Sequence, residues 1–211
     1  IIQLKDAGCN VIVDDVTYIT EPFFQDGVIA RTVDAVNNAG VAYFTSAGNF
    51  GQKSYTSTYR GAPAPGNIAS SAHDFSGTGD IYQRLRLKAG TYSIVLQWQD
   101  DIYSLAQTRG TVNDLDIYLI DQGGERIGFN RNNFGGDPFE ILSFSIKHPD
   151  PTQYIEADLL ITKANTNTSN PLIKYIIFRG DAIIDEYYSN QSLLDKSTIV
   201  GHANASGAIS V

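Results

Sequence analysis

The residues with the most chemistry to offer stand together in Phe44-Thr-Ser-Ala-Gly-Asn-Phe-Gly51. Ala47 and Gly48 carry almost no side chain, which lets another chain approach the backbone closely, and the amide of Asn49 can donate to negative charge developing on a carbonyl oxygen. A second set is Asp14-Asp15, at the end of an apolar run. Alternation along an extended chain aims these carboxylates at opposite faces, so they are no close acid–base pair; a strand-end cap or a loop ion pair is their plain role. A third set is Asp114 and Asp116, two residues apart and therefore on one strand face. There they either bond backbone amides at a sheet edge or ligate calcium, a hard ion that takes carboxylate oxygens. His202, in Gly-His-Ala, has no other His or Cys near it in sequence and reads as a hydrogen-bonding loop residue. Trp98, Tyr92 and Tyr103 read as core aromatics, with a peptide or sugar platform as the other use of such rings. Cys9 is the single cysteine, so the chain builds no internal disulfide and no cysteine zinc site, and with nothing basic beside it the thiol is structural.

The elements that must position these residues change in character along the chain. Leu4-Lys-Asp-Ala-Gly8 reads as a last helical turn closed by glycine, followed by a short strand at Asn10–Asp14. Val28, Ile29, Val33 and Val36 keep helical spacing from Gly27 to Asn38, Gly40 stops that helix, and Val41–Thr45 is a second strand. Strand, helix and strand in this order predict a parallel βαβ unit. From about Gly61 the period becomes alternating. Tyr82–Leu87 and Tyr92–Trp98 read as a hairpin, and Asp114–Ile120, Ile141–Ile146, Tyr154–Thr162 and Leu172–Phe178 as further strands of an antiparallel sandwich. The final run, Ala208-Ile-Ser-Val211, is assigned back to the first sheet. The fold expected is therefore an α/β fragment with a partial parallel sheet (1–60 and the return strand, 192–211) plus an inserted all-β, jelly-roll-like sandwich (61–191). Long insertions cost little, because closure entropy grows only with the logarithm of length.

With 211 residues, 42% hydrophobic and a net charge of −8, the chain holds enough apolar material for a core and is not of the disordered class. Its acidity and the lack of a basic cluster argue against nucleic acid as a partner, and no apolar run is long enough for a membrane helix. The chain opens on Ile1-Ile-Gln-Leu4 without Met or a basic leader and closes on an apolar run. The expectation is a piece of a longer protein, whose cut sheet edges invite self-association. Asn167, Asn190 and Asn204 begin Asn-x-Ser/Thr sequons.

Phe44–Gly51, with Asp6-Ala-Gly-Cys-Asn-Val-Ile-Val13 before it and Ile29–Val41 between, resembles the catalytic domain of the subtilisin-like serine peptidases. The resemblance extends to Thr198–Val211, which is similar to that family's return strand, and covers roughly residues 1–52 and 195–211. It implies that Asn49 is the oxyanion donor, that Asp15, Val16, Thr17, Ala47 and Gly48 line a cleft for a peptide or protein substrate, with Asp15 favouring a basic side chain, and that the protein is secreted or at a cell surface. The related sedolisins carry Asp at the oxyanion position, so Asn49 places the likeness on the subtilisin side. The family's Asp and His motifs are missing, none of His73, His148 or His202 begins His-Gly-Thr, and no Gly-Thr-Ser occurs. A chain with an oxyanion donor but no nucleophile or base is inactive alone. Residues 82–92 and 113–121 resemble the pre-peptidase C-terminal type of β-sandwich. The alternatives are a sandwich that binds protein or carbohydrate beside a domain without its triad, and a structural module without chemistry.

Overall fold

The computed structural model describes residues 1–66, 68–107, 109–187 and 196–211. In chain order they form α1 (Ile2–Asp6), β1 (Val11–Val13), α2 (Val28–Asn38), β2 (Ala42–Thr45), β3 (Ser54–Thr58), β4 (Gly61–Ala62), β5 (Ser71–His73), β6 (Gln83–Leu87) and β7 (Gly90–Trp98). Then come β8 (Leu115–Asp121), β9 (Arg126–Phe129), β10 (Phe139–Ile146), β11 (Ile155–Lys163), β12 (Leu172–Arg179), β13 (Ala182–Ile184) and β14 (Ala208–Ser210), with short 3-10 turns at Tyr103–Leu105 and Gly201–Asn204. The chain divides into two units, Ile1–Gln52 with Ser197–Val211, and Lys53–Lys196. No described helix is long and apolar enough to cross a membrane.

The first unit is a three-stranded parallel sheet in the order β1-β2-β14, with Val11 opposite Ala42 and Ala208 opposite Tyr43. Helix α2 buries Ala30, Val33 and Val36, three residues apart, against Ile12, Val41, Tyr43 and Ala205. Both helices end by one device. Gly40 takes φ +88° and gives its amide to Asn37, while the amide of Val41 reaches back to Val36. Gly8, at φ +90°, does the same for α1, with bonds from Gly8 to Lys5 and from Cys9 to Leu4. A left-handed residue closes these paired bonds without strain only if it lacks a Cβ.

The second unit is built of antiparallel sheets that do not close into a barrel. One runs β10-β7-β12-β3; the other runs β13-β6-β11-β5-β4, with β8 also on β11 and β9 on β8. Tyr92, Ile94, Leu96 and Trp98 from β7 share a core with Leu85, Leu87, Ile117 and Leu159. Each such buried side chain contributes about 1.5–3 kcal/mol, which makes this alternation the main reason the strands form. The expected hairpin of β6 and β7 is not what forms: β6 pairs with β11 and β13, β7 with β10 and β12. Both strands are apolar on one face, and placing them in different sheets lets those faces meet across the core. Ser54–Thr58, left by the change of period near Gly61 with the first unit, is a strand of this one, with Tyr55 opposite Tyr175. The expected boundary at residues 191 and 192 and the sequon at Asn190 lie outside the described residues.

Candidate functional site

In the first unit the two candidate segments leave the parallel sheet at the same end. Val13 pairs with Phe44, and the amide of Asp14 donates to the Phe44 carbonyl at 3.0 Å, so Asp14–Thr17 and Ser46–Asn49 both begin at the carboxyl ends of neighbouring strands. That is where open parallel sheets present their ligand sites, because the chain turns away there and exposes backbone and loops. Strand β14 continues alongside: the Val211 amide bonds Thr45 and the Ala47 amide bonds Val211 at 2.9 Å. Gly48 sits at φ +79° with its amide on Ser46 Oγ at 3.0 Å, and a Cβ there would meet the Phe50 ring at 2.4 Å. Asn49 is exposed, and its amide makes no hydrogen bond to a described residue. Asp15, Val16 and Thr17 are exposed as well. An apolar groove of about 510 Å³ runs beside Val16, Asp14 and Tyr18 to Leu4 and Val28; Ala47, Gly48 and Asn49 do not line it.

Asp14 does more than cap a strand. Its carboxylate accepts hydrogen bonds from Thr45 Oγ1 at 2.6 Å and from the Tyr43 hydroxyl, and Oδ2 lies 3.5 Å from His202 Nε2. His202 Nδ1 lies 2.6 Å from Glu21 Oε2, which also accepts the His202 amide at 3.2 Å. The ring is 2% exposed and Thr45 fully buried. Partial burial works against ionisation of Asp14, yet the bonds from Thr45 and Tyr43 and the nearby imidazole hold its carboxyl below the ordinary value. The Glu21 bond raises His202 above its ordinary value against the opposing effect of burial. Burial, and then the bond to Asp14, pushes Tyr43 upward, so the phenol stays a donor. Glu21, Tyr43 and Thr45 were not among the sequence candidates. The available signal was Tyr43 and Thr45, two polar residues alternating on one face of a strand that must be buried.

In the second unit Asp114 Oδ1 accepts the Asn133 amide at 2.9 Å, the sheet-edge role. Asp116 is buried beside it and pushed up to about 7, by burial first and the Asp114 charge second. Among the described residues no cluster of three His, Cys, Asp or Glu is arranged for a metal. Trp98 and Tyr92 are core residues, while Tyr103 is 66% exposed. Cys9 is partly buried against the first unit's core.

No family model matches this chain, and no curated protein matches it. Among solved structures it is similar to the CspB protease of Clostridium perfringens, at 12% identity and a TM-score of 0.26, over 86% of this chain and 35% of that one. The chain thus spans about a third of that protease's length.

Proposed function

We propose that this chain is an internal stretch of a secreted subtilisin-like serine endopeptidase. Asn49 is its oxyanion donor and Asp15, Val16, Thr17, Ala47 and Gly48 its cleft, and the β-sandwich lies between two halves of the catalytic unit. The observation that supports this reading is the common exit of Asp14–Thr17 and Ser46–Asn49 at the carboxyl end of β1 and β2, with the Asn49 amide exposed and unspent. A donor waiting in place where the tetrahedral oxygen forms stabilises the transition state without reorganising. In this reading the chain alone turns over no peptide. A fluorophosphonate probe should leave it unlabelled and should label a longer protein that contains it; labelling of this chain, or none of the longer protein, sinks the proposal.

One feature favours a second reading, a carbohydrate-binding sandwich. Phe134 is 65% exposed beside a recess of about 490 Å³ shared with Asn132, Asn165 and Asn167. An aromatic face flanked by amides suits a sugar ring, and binding on a glycan array that is lost in Phe134→Ala would support it.

A further inference from the structure

We propose that His202 is a positioning residue: a charged imidazolium, bridging Glu21 and Asp14, that ties residues 15–27 to the turn before β14 and loosens its hold, on the Asp14 side, when the ring loses its proton. The bridge stands on hydrogen-bond geometry; its bearing on a substrate, through Asp15–Thr17, rests on the peptidase reading.

The protons can be counted. A carboxylate only accepts, so Nδ1, 2.6 Å from Glu21 Oε2, carries hydrogen. On the other side of the ring, Thr45 has one hydroxyl hydrogen and gives it to Asp14 Oδ1 at 2.6 Å. Toward Nε2, 3.3 Å away, Thr45 therefore presents a lone pair, and Asp14 Oδ2 at 3.5 Å presents another. Nε2 must then carry hydrogen too. A neutral ring would turn a lone pair on an acceptor at one of its two nitrogens. The raised titration of the ring agrees with this count.

What the bridge holds is irregular chain. Residues 14–27 form neither helix nor strand, and within them Asp14 and Glu21 are the two carboxylates that meet the ring. The other groups facing His202 are the rings of Tyr18 at 5.8 Å and of Tyr43, edge-on, at 6.5 Å. From α2, packed on the same turn, Asp34 accepts the Gly207 amide at 2.7 Å and Arg31 Nε donates to the Gly27 carbonyl at 3.3 Å, so these charges are engaged elsewhere.

The test is a pH titration of the full chain by nitrogen NMR of the imidazole, with amide hydrogen exchange of residues 15–27 corrected for the intrinsic rate. An imidazolium at pH 7 is expected, with corrected exchange of this segment rising about tenfold through the ring's midpoint while α2 stays protected. Glu21→Gln should move the midpoint down by about one pH unit or more. His202→Gln should give the fast exchange at all pH values. A neutral ring at pH 7, or exchange that ignores the midpoint, overturns the proposal; both are read on the unsubstituted chain, so a variant that fails to fold does not shelter it. If the bridge behaves as described but the intact peptidase hydrolyses peptides with the same Michaelis constant in His202→Gln, the bridge stands and its link to the cleft falls.

Discussion

Gly201 stands so close to Glu21 that a β-carbon added to it would meet Oε2 at 2.4 Å and the Glu21 Cβ at 2.8 Å. The same residue sits at φ +62°, where an L side chain is already strained. Gly201→Ala should cost about 2–3 kcal/mol, roughly 1 from the backbone and the rest from displacing Glu21 off His202. Gly40→Ala is the control, since its left-handed site has nothing within 4 Å and should cost only about 1 kcal/mol. Urea unfolding compares the two, and equal losses would mean that Glu21 yields freely.

His73 is the opposite of His202. Its Nδ1 accepts the Arg60 amide at 3.1 Å, so the ring is neutral, with its proton on Nε2 facing the Tyr55 hydroxyl. Burial first, and Arg60 second, lower it to about 3. The unfolded chain therefore binds the extra proton between pH 6.5 and 3, and folded stability falls as pH falls through that window. From pH 6.5 to pH 5 the loss should be about 2 kcal/mol, measured by urea unfolding of the sandwich. His73→Gln should flatten that slope. For His202 the sign reverses: its raised value adds stability that is whole below 6.5 and is lost as pH climbs through the folded value.

Asp100 Oδ2 collects four donors: the amides of Val112 and Asn113, Asn113 Nδ2, and Thr111 Oγ1, which in turn accepts the Trp98 indole N–H at 2.8 Å. Asp100→Ala strands these groups at a partly buried site, where each lost partner costs about 1 kcal/mol or more unless water replaces it. A loss of about 2–3 kcal/mol with altered tryptophan fluorescence is expected. Unchanged unfolding would show that water takes over the site.

In a longer protein with peptidase activity, Asn49→Ala should lower the catalytic constant by about 10²–10³, the scale known for removal of such a donor in subtilisin itself. The Michaelis constant should hardly move, because the bond tightens mainly in the transition state. A raised Michaelis constant with an unchanged catalytic constant would make Asn49 a substrate contact instead.

What the sequence made legible was local. Gly8 and Gly40 announce helix ends because the paired closing bonds lie within six residues of them, and Leu85/Leu87 or Ile94/Leu96 announce strands because burial alternates at a period of two. What a strand pairs with is not local. Nothing in Tyr82–Trp98 says that its halves face each other across a core instead of lying side by side. The site divides the same way: the Ser46–Asn49 turn reads off its small residues, whereas Glu21 and His202 meet across 181 positions and neither neighbourhood hints at the other. Asp14 was visible as a carboxylate and invisible as an anchor, since its partners come from β2 and from the far end of the chain.

The sheet order β1-β2-β14 also sets a sequence of events during synthesis. The edge of β2 that receives Ala208–Ser210 must wait for the whole of Lys53–Lys196 to be made. The sandwich's antiparallel pairs all lie within that stretch, so it can complete itself first. Until Ala208–Ser210 emerge, β2 presents an open row of backbone donors and acceptors. A stall or truncation between Lys196 and Ala208 would thus leave a finished sandwich attached to an unfinished sheet, a species primed to pair with a second copy of itself.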